Sequence, residues 1–206
     1  MNAATEQSIE PLDSAFLEES ECIDWKHPRI IETAVHLAKG ADCEEKIAKR
    51  CFVFVRDQIR HSIDFQLNPV TCTASDVLLH GTGFCYAKSH LLAALLRANG
   101  IPAGLCSQRL PVGEEGPPYC LHGLNAIHLG YWYLVDARGN KPGVDAKFSP
   151  PARHLAFPEG KFLPGIFAKP LPVVVEALTR HNTFEEVLAH LPDIDLENIQ
   201  EIRRFS

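Results

Sequence analysis

Gly81-Thr82-Gly83-Phe84-Cys85-Tyr86-Ala87-Lys88-Ser89-His90-Leu91-Leu92-Ala93-Ala94-Leu95-Leu96-Arg97-Ala98-Asn99-Gly100-Ile101-Pro102 reads as a glycine-broken lead-in followed by one strong helix. The Ala- and Leu-rich run predicts a helix over Cys85–Asn99. Gly100 and Pro102 supply two stop signals. Its inward stripe would be Cys85, Ser89, Leu92, Leu95 and Leu96. Upstream, Thr73 to His80 reads as a short helix broken by Gly81. Apolar spacing from His27 to Lys39 predicts another, closed by Gly40, and Asp42 is placed to cap a third, Cys43–Ile59. Downstream the period changes to two. Ala103–Leu110 reads as a strand and Pro111–Pro118 as a loop. Cys120–Leu129 and Tyr131–Ala137 form a strand pair turning at Gly130. Residues 138–172, rich in Pro and Gly, read as mostly irregular, and Thr183–His190 and Leu196–Phe205 as helical. Helices first and strands after predict an α+β fold with an antiparallel sheet.

The 206 residues carry no repeat, linker or low-complexity tract, which predicts one domain over 1–206 with residues 1–11 loose. Apolar content of 46% and charge of 22% exclude wholesale disorder. With a net charge of −6 and no cluster of Lys or Arg, nucleic acid and anionic membranes are disfavoured as partners. The start lacks a signal-peptide pattern and no run of 18 apolar residues exists, so a cytoplasmic protein without a membrane span is expected. Seven cysteines without a CxxC pair, and ten histidines without HxxxH or HExxH, argue against a disulfide framework and against a closed zinc site. No metal and no cofactor is expected.

Among those cysteines, Cys85 stands out by position. At a helix start it meets unpaired backbone N–H groups and the positive end of the helix dipole, which favour thiolate and can hold an oxyanion. Gly81 and Gly83 let a substrate approach the backbone. The hairpin supplies partners. If Ile127 pairs with Tyr131 across His128-Leu129-Gly130, His122 lies opposite Asp136 on one face, within carboxylate–imidazole reach. A loop one residue shorter would send Asp136 to the other face. His128, at the turn, lies about 20 Å along the strand from Asp136 and is excluded. The candidate triad is therefore Cys85, His122 and Asp136.

Gly83, Phe84, Tyr86 and Trp132 are the residues placed nearest a substrate, with Trp132 covering the face of Asp136. Cys120 shares the face of His122 and is read as packing beside it. Cys72 lacks a histidine partner, and Lys88 reads as an exposed helix lysine.

Three blocks carry a family resemblance: Thr73-Ala-Ser-Asp-Val-Leu78, Gly81-Thr-Gly-Phe-Cys85-Tyr-Ala-Lys88 with Leu91 through Ala103, and His122 followed by Trp132-Tyr-Leu-Val-Asp136. Over roughly Ile47–Asp136 they closely resemble the core of the microbial transglutaminase-like superfamily. The resemblance implies a papain-like α+β scaffold with Cys85 as nucleophile, His122 as general base and Asp136 as its orienting carboxylate. It implies acyl transfer from a peptide, protein or small amide, with hydrolysis favoured over cross-linking for a short intracellular member. Gly123-Leu124-Asn125 departs from the small–aromatic–Val–Glu run usual after the histidine. Gln58 and Asn68 are the upstream side chains considered as a second oxyanion donor. Two other enzymatic or structural classes share these residues: an arylamine N-acetyltransferase-like enzyme, where Arg-Gly-Gly would replace Gly81-Thr82-Gly83, and a non-catalytic binding module. A metal site built on Cys85 and His122 is a further alternative.

Overall fold

The computed structural model describes residues 13–113 and 115–194. The expectations for residues 1–11 and for a helix over Leu196–Phe205 lie outside the described residues. A short 3₁₀ helix (Ser14–Leu17) precedes two longer helices, α1 (Pro28–Ala38) and α2 (Glu44–Gln58). Gly40, at φ +69°, follows the first in the left-handed turn that glycine enters at no cost. Asp42 is not the cap of α2. Cys43 holds that position without a side-chain bond, while Asp42 pairs with Lys46 at 2.6 Å.

A two-residue strand β1 (Arg60–His61) leads into the single-turn α3 (Ser62–Phe65), then α4 (Ala74–His80), β2 (Thr82–Gly83) and α5 (Cys85–Ala98). Thr73 caps α4 by accepting from the Asp76 amide at 3.1 Å. β1 and β2 run parallel with His61 opposite Gly83. α5 has no polar face: every side chain from Cys85 to Arg97 is buried. A single inward stripe was expected. The helix is instead packed against α1, α2 and α4 and against the two strands Ala103–Pro111 and Tyr119–His128. Lys88, read as exposed, is 1% exposed; its ammonium donates to the Ile59 and Arg56 carbonyls at the end of α2.

The main sheet is antiparallel, in the order β5 (Trp132–Val135), β4 (Tyr119–His128), β3 (Ala103–Pro111), β8 (Lys161–Phe162). Leu121 and Ile127 of β4 belong to the core built on α5, whereas Leu124 and Ala126 join a smaller cluster on the opposite face. The hairpin register differs from the expected one by two residues. His128 pairs with Trp132 and Asn125 with Val135, so the loop is Leu129-Gly130-Tyr131 and Asp136 falls beyond the pair that was assigned to it. An even offset keeps every side chain on its face. Asp136 and His122 therefore remain neighbours, as a diagonal pair.

The stretch read as irregular, 138–172, contains β6 (Lys147–Ser149), β7 (Ala152–His154) and β8. α6 (Pro172–Arg180) and α7 (Phe184–Ala189) close the described chain. α6 was not foreseen: it starts with Pro at its first position and continues Val173-Val174-Val175, a β-branched run with low helix propensity. Burial of Val174, Ala177 and Leu178 outweighs that preference. No helix among the described residues is long and apolar enough to cross a membrane.

Candidate active site

Cys85 is the first residue of α5, and Phe84 before it makes no capping bond through its side chain. The first amides of the helix are thus left without intrahelical or capping partners. The sulfur lies 3.4 Å from the Gly123 amide nitrogen. That approach needs a glycine in β4, since a Cβ on Gly123 would sit 2.9 Å from Cα of Tyr86. Two residues after the histidine, Gly123 and Asn125, serve this docking. Asn125 donates to the Ser89 carbonyl of α5 at 2.9 Å, and the Tyr86 hydroxyl donates to the Leu121 carbonyl.

His122 Nε2 is 2.8 Å from Asp136 Oδ2, and the Cys85 thiol is within hydrogen-bonding reach of the same ring. Asp136 is fully buried and accepts two further bonds, from the Arg138 amide at 3.1 Å and the Ala156 amide at 3.0 Å. Burial opposes ionisation of its carboxyl. The His122 charge and the three hydrogen bonds overcome it and hold Asp136 below its ordinary value. Burial likewise opposes the charged ring of His122, but Asp136 and then Cys85 outweigh it and raise the imidazole to about 10.

Trp132 does not shield this pair. It packs on Phe16 and His128 at the turn end of the hairpin. The cover is Phe157, whose ring meets His122 edge-on at 4.9 Å between centroids. Gln108, opposite His122 on β3, fixes that segment by donating to the Phe157 carbonyl at 2.9 Å. No local period could reveal a residue 35 positions downstream that folds back on the histidine.

A cavity of about 430 Å³ opens at Cys85, lined in part by Phe84, Tyr86, His122, Phe157 and Leu191. Phe84 and Tyr86, two of the four residues expected nearest a substrate, are on this wall. Gly83 is not on this wall; it is buried, where a Cβ would press on Ala87 and the Thr71 hydroxyl at 3.2 Å. Cys120, read as packing, lines the cavity, and burial followed by the nearby Cys85 pushes its thiol up to about 11. Gln58 and Asn68 are both exposed, and Asn68 Oδ1 accepts from the Phe184 amide at 2.7 Å. Neither lines the cavity. Besides Phe157, the charged or titratable residues His61 and Arg138, which sequence reading missed, do. Arg138 grips Asp64 through two bonds of 2.6 and 2.9 Å.

Among the described residues one set of metal-type ligands gathers elsewhere, Cys22, Cys72 and His90, within 4.8 Å of one another. The two sulfurs are 3.6 Å apart and His90 Nδ1 lies 2.8 Å from the Cys72 carbonyl oxygen.

Against known proteins, residues 31–137 match the model of the transglutaminase-like superfamily. No curated protein matches the chain. Among solved structures the chain is similar to a candidate cysteine protease from Cytophaga hutchinsonii, at 22% identity and a TM-score of 0.48. The match covers 62% of this chain and 43% of that one, so the chain spans less than half the length of that structure.

Proposed function

The chain belongs to the transglutaminase-like superfamily, and on that premise we propose that it cleaves amide or peptide bonds through a thioester on Cys85. The observation that carries this reading is one line of contacts: the Cys85 sulfur, the His122 ring, and Asp136 Oδ2 at 2.8 Å from Nε2, at the edge of a cavity. Nε2 is engaged by the carboxylate, so Nδ1 is the nitrogen left to exchange a proton with the thiol.

In this reading the thiolate attacks the carbonyl carbon, and the π pair moves onto oxygen beside the free amides of α5. Collapse expels the amine, which takes its proton from His122 and leaves an acyl-thioester. His122 then withdraws a proton from water as the oxygen attacks, and the carboxylic acid and free thiol are restored. Asp136 keeps the ring in one tautomer and stays ionised throughout. Hydrolysis is our choice over transfer to an amine, acetyl transfer and a purely binding role.

Iodoacetamide labelling mapped by mass spectrometry tests the assignment. Cys85 should outpace the other six cysteines at neutral pH, and His122→Ala should slow it by about 10²-fold. Cys85→Ala should abolish turnover of amide substrates. Fastest labelling at another cysteine would refute the assignment. Incubation with acetyl-CoA separates the acetyl-transfer alternative, which requires acetylation of Cys85.

A further inference from the structure

The cavity holds a second imidazole. Parallel pairing of β1 with β2 sets His61 opposite Gly83, two residues before the nucleophile. Its side chain lines the same cavity as Cys85, is 5% exposed, and meets the Phe84 ring at 6.2 Å between centroids. Among the described residues Nδ1 is buried without a hydrogen-bond partner. The facing acid oxygen, Asp64 Oδ2, is 3.9 Å away, too far for a bond. Asp64 is occupied by the Arg138 fork and by Lys141 at 2.7 Å.

This arrangement decides where the ring carries its proton. A buried N–H with no acceptor is rarer and costlier than a bare ring lone pair. A proton on Nδ1 would also draw the ring onto a carboxylate only 3.9 Å off, and no such bond has formed. The proton belongs on Nε2, across the ring from the buried Nδ1.

Resting on the thioester reading above, we propose that His61 is a further catalytic residue of this site: its Nε2–H and the Cys85 backbone N–H together hold the oxyanion formed at the acyl carbonyl. Neutrality of the ring supports this. Burial, followed by the Arg138 guanidinium, keeps His61 well below the usual imidazole range in spite of Asp64. The group therefore donates at neutral pH without titrating. In the step itself the Cys85 sulfur forms the C–S bond and the carbonyl π pair moves to oxygen. Both donors bind that oxygen and keep their protons. The pair returns as the C–O or C–N bond to the leaving group breaks. An upstream histidine thus fills the place for which Gln58 and Asn68 were considered.

Stopped-flow acylation by p-nitrophenyl acetate, run beside iodoacetamide alkylation, tests the proposal. Alkylation passes through no oxyanion, so it reports the thiol alone. His61→Leu should slow acylation by roughly 10²-fold. It should leave alkylation of Cys85 within about threefold of the wild type. His61→Gln, which restores an N–H donor, should recover about tenfold of that loss. Acylation of Cys85 in His61→Leu at the wild-type rate overturns this inference alone. Release of nitrophenol that never acylates Cys85 overturns the functional reading and this inference with it. The unsubstituted protein offers an independent measurement, ¹⁵N NMR of the imidazole. A neutral ring protonated on Nε2 supports the proposal, and protonation on Nδ1 overturns it.

Discussion

Asp136 accepts three hydrogen bonds, from His122 and from the amides of Arg138 and Ala156. The two amides cannot titrate, so they hold the carboxylate in place whatever state the histidine is in. Replacing it by asparagine keeps the shape and removes the charge. The His122 imidazole should then fall well below about 10, because the carboxylate is the larger of the two influences that oppose burial and Cys85 alone would remain. Turnover should drop by roughly 10²–10⁴-fold. An NMR titration of His122 in Asp136→Asn checks this, and a midpoint still near 10 would disprove it. At this scale much of the site was legible. Helix start, strand period and residue type were enough to bring Cys85, His122 and Asp136 to one place. His61 was not legible, since it lies in a two-residue strand with no period to read. Arg138 was hidden for a similar reason, being placed by a bond to Asp64, 74 positions away.

At the scale of elements, the decisive contact is α5 against β4. α5 is buried on all sides and cannot retreat, so the strand must give way to it at Gly123. Glycine-to-alanine changes at relaxed positions stabilise by about 0.4–1 kcal/mol. Here the sign should reverse, with a cost of about 1–3 kcal/mol, because the new methyl meets the Tyr86 backbone at 2.9 Å as well as its ring at 3.1 Å. Urea unfolding of Gly123→Ala should show a lower midpoint, and alkylation of Cys85 should slow as the helix start shifts away from His122. An unchanged midpoint would mean that the two elements are not locked here. The hairpin shows what a strand pattern does and does not encode. Alternation specifies the face, which is why His122 and Asp136 meet. It does not specify how many residues the turn consumes, and so the register came out two residues away from the expected one.

At the scale of the molecule, the chain after the hairpin returns to the site that the earlier part builds. Phe157 covers His122, Leu188 and Leu191 line the cavity, and the Pro192 carbonyl accepts from the Leu121 amide at 2.7 Å. Arg109 ties Asp193 to β3 through bonds of 2.8 and 2.7 Å. The match to the family ends at residue 137, so this cover is built by residues beyond it. Such long-range contacts leave no periodic trace, which is why residues 138–172 read as irregular. Enclosure also leaves titratable groups deep inside, and they set how stability responds to pH. His90 on α5 is fully buried, and burial lowers it to about 4 from an ordinary 6.5. As pH falls between those values the unfolded chain takes up a proton that the folded protein refuses, so stability must decrease. For a ring this enclosed the loss is about 3 kcal/mol. His61 acts in the same direction, and Asp136, held below 3.8, adds its own loss at lower pH still. On the alkaline side two groups oppose each other. His122 stabilises fully below 6.5 and loses that contribution as pH rises through about 10. Lys88, lowered by burial to about 7, is a burden that lifts as pH rises from 7 towards 10.5. The acid limb is therefore the diagnostic one. Urea midpoints should fall steadily from pH 6.5 to 4, and His90→Asn, which keeps a donor for the Cys72 carbonyl, should flatten that slope. Equal slopes in the two proteins would show that His90 takes up its proton in the folded state.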